Sequence, residues 1–124
     1  MRPGVSRALD VSGAEVLARA EAEGAAALIL DSTGDRTTSA FLTTAGRVLG
    51  AGDEFGHNLD ALYDVLRDLD DPAVLVWSGW ADLALADPRA FTVLVGLFAD
   101  RSEEAALSVV LVGQGPAVDV PLLP

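Results

Sequence analysis

Two carboxylates and an aromatic ring lie close together in one short stretch of this 124-residue chain. Asp60 and Asp64 are four positions apart, and Tyr63 lies between them. On a helix that begins near Asn58, this spacing places all three side chains on one face within two turns. Like charges at this spacing slightly destabilise a helix, so stability alone does not explain the pair. Such carboxylates can bind cationic groups or act as a general acid and base.

The opposite face of the same predicted helix is apolar. Its apolar residues recur at three- and four-residue spacing, at Leu59, Leu62, Leu66 and Leu69. This spacing predicts that the apolar face packs against a core and that the carboxylates face solvent. Asn58 is a favoured helix N-cap, and Gly56 just before it permits a backbone turn. The loop and the helix are therefore predicted to form one structural unit.

The whole chain is strongly acidic, with a formal net charge of −11. Such a field repels nucleic acids and anionic membranes and attracts basic proteins. Acidity can also serve only to keep a protein soluble, so the clustering of charges bears on function more than their sum. A second carboxylate pair, Asp100 and Glu104, has the same four-residue spacing in the longest predicted helix. If the two helices lie side by side, the pairs form one acidic surface.

Several classes of site and location are not expected. Cysteine is absent, which excludes a disulfide, a thiol nucleophile and a thiolate metal site. No motif indicates a cofactor, and we expect neither a cofactor nor a metal. The N-terminal residues lack an apolar segment, and the alanine-rich run after them is interrupted by charges. We therefore expect neither a signal peptide nor a membrane span, and a cytoplasmic location.

The remaining pattern predicts a small α/β domain. Apolar runs bounded by turn residues predict three strands, over residues 25–31, 73–77 and 106–112, of which the first is expected to be buried on both faces. Capping residues and helical spacing predict helices over residues 13–23, 37–49, 58 to about 70, and 87–104, with a helical turn at 79–83. Strands that alternate with helices indicate a three-stranded parallel sheet covered by helices, with an additional N-terminal helix.

We expect one domain over residues 1–116. Residues 1–24 form an N-terminal extension, in which residues 1–10 can add an edge strand or form a loose arm. Residues 117–124 follow a Gly- and Pro-containing segment and are expected to form a flexible tail.

Residues 55–64, Phe-Gly-His-Asn-Leu-Asp-Ala-Leu-Tyr-Asp, resemble the signature of the barstar family, small inhibitors of guanyl-specific ribonucleases. The resemblance extends without a gap over residues 37–72, and more weakly from the strand at 25–31 to the strand at 107–112. It implies a barstar-like α/β fold and an inhibitor rather than an enzyme. A ribonuclease active site is complementary to an acidic surface, because the groups that hold phosphates also hold carboxylates.

The resemblance also implies residue roles. Asp64 would enter the active site of the ribonuclease and meet its phosphate-binding and catalytic side chains. Asp60, Tyr63 and Asp100 match further contact positions. The predicted partner-binding residues are Glu54, Gly56, Asn58, Leu59, Asp60, Tyr63, Asp64, Arg67, Asp100 and Glu104.

Three of these residues depart from the family pattern. Glu54 and Tyr63 stand where an aromatic residue and a tryptophan are expected, and Arg67 stands where a small or polar residue is usual. Arg67 would bring a cation toward a basic partner, unless it pairs with Asp64 or Asp60 in the free protein. The departures leave the identity of the cognate ribonuclease open.

The sequence supports three hypotheses of function. The first is an intracellular inhibitor or immunity protein, monomeric when free, that blocks the active site of a guanyl-specific or related toxin ribonuclease. The second is a regulatory module of the same fold that binds another basic protein. The third is an enzyme that uses Asp60 and Asp64 as acid and base, which the exposed helical position of both residues disfavours.

Overall fold

A four-stranded, fully parallel sheet forms the centre of the fold in a computed structural model that describes residues 1–52 and 55–123. The strand order is β1-β4-β3-β2. The strands are β1 (Gly4–Ala8), β2 (Ala26–Asp31), β3 (Ala73–Ser78) and β4 (Leu107–Val112). The helices are α1 (Gly13–Ala22), α2 (Thr38–Val48), α3 (Leu59–Arg67), α4 (Trp80–Ala86) and α5 (Pro88–Glu104).

The predicted α/β class, the parallel sheet and the N-terminal helix are confirmed, but the predicted number of strands is wrong. The fourth strand is β1, which pairs with β4 in register from Gly4 opposite Ser108 to Ala8 opposite Val112. Its sequence, Gly-Val-Ser-Arg-Ala, has no continuous apolar run, because Ser6 and Arg7 interrupt it. The pairing with β4, rather than local sequence, makes this segment a strand.

The two faces of the sheet are covered unequally. Successive residues of β3 alternate between the faces, so Leu75 and Trp77 belong to one core and Val74 and Val76 to another. Within residues 1–52 and 55–123, α1 is the one helix that packs on the second core, through Val16 and Ala20. The first core is larger and contains buried residues of the other helices, among them Phe41, Leu62, Leu66, Trp80, Phe91, Leu94 and Phe98.

Strand β2 lies at an edge of the sheet and pairs only with β3. The expectation that it is buried on both faces is therefore wrong. Leu30 is fully buried in the larger core, whereas Ile29 on the other face is 46% exposed. The apolar run correctly predicts a strand, but the run alone cannot distinguish an edge strand from a central one.

The C-terminal segment, residues 116–123, lies against the fold. The backbone of Arg7 in β1 accepts a hydrogen bond from the amide of Leu123 and donates one to the carbonyl of Pro121, both at 2.8 Å. Val118 and Val120 pack on the larger core. The segment therefore covers the outer edge of β1.

The side chain of Arg7 strengthens this attachment. Its guanidinium donates hydrogen bonds to the carbonyl oxygens of Pro116, at 2.8 Å, and Gly115, at 3.0 Å. The guanidinium carbon lies 4.7 Å from the centroid of the Trp80 ring, which is a cation–π distance. One side chain thus joins β1, α4 and the C-terminal segment.

No helix in residues 1–52 or 55–123 has both the length and the apolar character needed to cross a membrane.

We expect Arg7→Ala to lower the free energy of unfolding by about 2 to 3 kcal/mol, since it removes two charge-assisted hydrogen bonds and a cation–π contact. It should also make residues 116–123 sensitive to limited proteolysis. Urea denaturation and mass spectrometry of the digests measure the two effects, with Arg36→Ala, a change at an exposed loop residue, as the control. Unchanged stability and protease resistance would contradict this role of Arg7.

Candidate functional site

Helix α3 has a fixed start and a fixed rotation about its axis. The Oδ1 atom of Asn58, the N-cap, accepts a hydrogen bond of 2.8 Å from the amide of Ala61. Leu62 and Leu66 are buried in the larger core, at 0% and 2% exposure. The predicted N-cap and apolar face are confirmed, although the helix ends at Arg67, earlier than expected. The opposite side of the helix consequently faces solvent.

The loop before α3 is anchored on helix α2. Phe55 is half-buried against the larger core and lies beside Gly46 of α2. A Cβ atom at Gly46 would come within 2.7 Å of the Phe55 ring, so only glycine permits this approach. The ring centroids of Phe55 and His57 are 5.0 Å apart. Gly46 therefore allows the loop to lie close to α2.

The outer side of α3 carries the predicted charged residues. Asp60 and Asp64 are exposed, and Tyr63 is half-buried. Asp64 is ion-paired: its Oδ1 atom accepts a hydrogen bond of 2.8 Å from Nη2 of Arg67. This ion pair is one of the two arrangements of Arg67 considered from the sequence.

Tyr63 joins α3 to α5. Its phenol interacts with the carboxylate of Glu104, and this interaction raises the pKa of Tyr63 above its ordinary value. Partial burial, the charge of Glu104 and the nearby charge of Asp100 raise this pKa further, whereas Arg101 lowers it. The carboxylates of α5 therefore lie beside those of α3. We call Asp60, Tyr63, Asp64, Asp100 and Glu104 together the acidic surface.

Arg101 also belongs to this region, although sequence reasoning did not single it out. Its Nη1 atom lies 3.5 Å from Oε2 of Glu104, and its side chain is only 11% exposed. The three-residue spacing between Arg101 and Glu104 on a predicted helix is a signal that could have identified it. Arg101 partly neutralises Glu104 from the inner side of the surface.

The other predicted residues lie around the acidic surface. Gly56 and Asn58 are exposed in the adjoining loop, and Leu59 is half-buried at the start of α3. Arg67 is exposed at the end of the same helix. Glu54 lies outside the described residues.

Charge recognition is the chemistry that this arrangement can perform. Asp60 and Asp64 project from the outside of a helix, where a partner's guanidinium or ammonium groups can reach them. Among residues 1–52 and 55–123, no three His, Asp or Glu side chains are grouped so that they could hold a metal ion.

Comparison with known families gives one result. The model of a family described as barstar (barnase inhibitor) matches residues 25–112, which is well over half of the chain. The match begins just before β2 and ends with β4, so it contains the acidic surface but not β1, α1 or the C-terminal segment. No curated protein matches the chain.

We expect Glu104→Gln to lower the pKa of Tyr63 toward its ordinary value of 10.0, because the neighbouring carboxylate that raises it is lost. Tyr63 is the only tyrosine, so the ultraviolet absorbance of the phenolate reports on this residue alone. In the wild type the raised pKa stabilises the fold below pH 10, and this contribution is lost as the pH rises through the pKa of the folded state.

Glu103→Gln, which removes one exposed charge next to Glu104, is the matched control and should leave the titration nearly unchanged. Equal shifts in the two variants would show that the overall negative charge of this region, rather than the proximity of Glu104, sets the pKa of Tyr63.

Proposed function

Because the chain belongs to the barstar family, we propose that it is a protein inhibitor of a guanyl-specific, barnase-like or related toxin ribonuclease. The acidic surface would occupy the active site of the ribonuclease and exclude RNA. The observation that carries this proposal is the packing of α3 against α5, with Tyr63 beside Glu104, which brings carboxylates of both helices together at the surface. The chain would act by binding and not as an enzyme.

The chemistry of the two surfaces is complementary. A ribonuclease must hold the phosphates of its substrate with cationic side chains, and carboxylates present comparable acceptor oxygens to the same groups. The family resemblance gives Asp64 the central position, where it would meet the phosphate-binding and catalytic residues. Asp60 and Asp100 would contact further cations of the ribonuclease. Tyr63 would supply a partly buried ring of the kind often found at the energetic centre of interfaces.

The charge of the whole chain supports a basic partner. With a net charge of −11, the protein attracts a basic ribonuclease at long range and repels RNA and anionic membranes. We propose that the free protein is a monomer in the cytoplasm and that it needs no cofactor.

We expect Asp64→Ala to weaken inhibition of a barnase-type guanyl-specific ribonuclease at least about thirtyfold, because truncating one member of a buried charge pair costs about 2 kcal/mol or more. Titration of ribonuclease activity with the wild type should show stoichiometric inhibition. Asp119→Ala, which removes an exposed carboxylate from the C-terminal segment, is the matched control and should inhibit like the wild type.

Equal inhibition by the wild type and Asp64→Ala would place the interface elsewhere. A wild type that inhibits no ribonuclease but binds another basic protein through Asp64 would support the second hypothesis, a regulatory module of the same fold.

Association with the ribonuclease should depend strongly on salt. We expect the association rate constant to fall at least about tenfold between about 0.01 M and 0.15 M ionic strength, because the Debye length shrinks from about 30 Å to about 8 Å. The dissociation rate constant should change much less. Stopped-flow fluorescence measures both rates, and an association rate that does not respond to salt would contradict electrostatic steering.

A further inference from the structure

Both arginines of the region around the acidic surface are paired with carboxylates of that surface, but in different ways. Arg101 is nearly buried, with 11% of its side chain exposed, whereas the side chain of Arg67 is 56% exposed. Asp64, the partner of Arg67, is itself 63% exposed. Arg67 can therefore leave its carboxylate by rotating into solvent, whereas the nearly buried side chain of Arg101 lacks this freedom.

The ion pair between Arg67 and Asp64 competes with any cation that approaches Asp64. The geometry is good, with Nη2 and Oδ1 separated by 2.8 Å. An exposed pair of this kind is nevertheless worth only about 0.2 to 1 kcal/mol, so a partner's cations can displace the guanidinium. The need to displace Arg67 from Asp64 lowers the affinity for a cationic partner but does not prevent binding.

A displaced guanidinium remains near the interface. Side chains three positions apart on a helix have Cβ atoms only about 5 to 6 Å apart, which is less than the Debye length of about 8 Å at physiological ionic strength. A cation bound to Asp64 would therefore meet the only partly screened charge of Arg67. Arg67 competes for Asp64 in the free protein and repels the bound cation in the complex. Both effects weaken the binding of a cationic partner.

We infer that Arg67 is a specificity-determining residue, an inference that rests on the proposed function. Arg67 opposes those basic ribonucleases that bind through Asp64. The acidic surface then binds a cationic active site less tightly than its carboxylates alone would allow. A ribonuclease that is inhibited in spite of Arg67 must compensate with further contacts, so Arg67 narrows the range of ribonucleases that the protein accepts.

The test compares four proteins for binding to a barnase-type guanyl-specific ribonuclease: the wild type, Arg67→Gln, Arg67→Glu and the control Arg89→Gln. Arg89 is exposed in the first turn of the 17-residue helix α5, about 22 Å along the helix axis from Glu104. The two variants therefore undergo the same change in net charge, Arg67→Gln beside the acidic surface and Arg89→Gln at the far end of α5. Circular dichroism and urea denaturation confirm that all variants are folded.

Arg67→Gln should lower the dissociation constant about threefold to tenfold, the range that loss of an exposed ion pair and of a nearby repulsive charge allows. Arg89→Gln should change it less than about twofold, because its charge lies far from the interface and is screened. Arg67→Glu should bind still more tightly than Arg67→Gln.

A wild type that binds, with Arg67→Gln no tighter than Arg89→Gln, would overturn the role of Arg67 and leave the proposed function intact. If neither the wild type nor any of the variants binds the ribonuclease, the proposed function fails and the role of Arg67 fails with it. If Arg67→Gln binds the ribonuclease while the wild type and Arg89→Gln do not, Arg67 prevents binding altogether, which would support the inference most strongly.

Discussion

Burial of the leucine side of α3 determines which side chains the protein presents to a partner. Leu62 and Leu66 are buried in the core beneath the helix, and burial of such side chains is worth about 1.5 to 3 kcal/mol each. The repulsion between Asp60 and Asp64 costs only a few tenths of a kcal/mol, and the exposed ion pair of Arg67 contributes no more than about 1 kcal/mol. Packing therefore outweighs the surface charges and fixes the rotation of α3. The positions of the charged residues on the surface therefore follow from the packing of the leucines.

The acidic surface depends on a second contact, between α3 and α5. Tyr63 reaches the carboxylate of Glu104, and Arg101 supports the same carboxylate from a nearly buried position. The segments outside the family match serve another part of the molecule. Helix α1 covers the second face of the sheet, while β1 and residues 116–123 extend and then cover one edge. The sequence outside the family match thus builds scaffold, whereas the matched residues carry the candidate site.

Local signals were sufficient to predict the start and the two faces of α3, and long-range contacts account for what the sequence did not reveal. The start of α3 and its two faces follow from Asn58 and from leucine spacing, which act within one or two turns. Strand β1 forms only because β4, at the other end of the chain, offers a pairing edge, and residues 116–123 are held mainly through Arg7. Neither partner is a neighbour in sequence. The nearly buried position of Arg101 likewise depends on how α5 meets α3, which spacing alone does not specify.

The measurement that most directly tests the central claim is amide chemical-shift mapping of the isotopically labelled protein during titration with a barnase-type guanyl-specific ribonuclease. If the acidic surface is the interface, the largest changes will occur in residues 55–67 and in the C-terminal half of α5. Amides of α1 and β2 will change little. Changes concentrated on α1 or on residues 116–123, or no change at equimolar ribonuclease, would contradict the account.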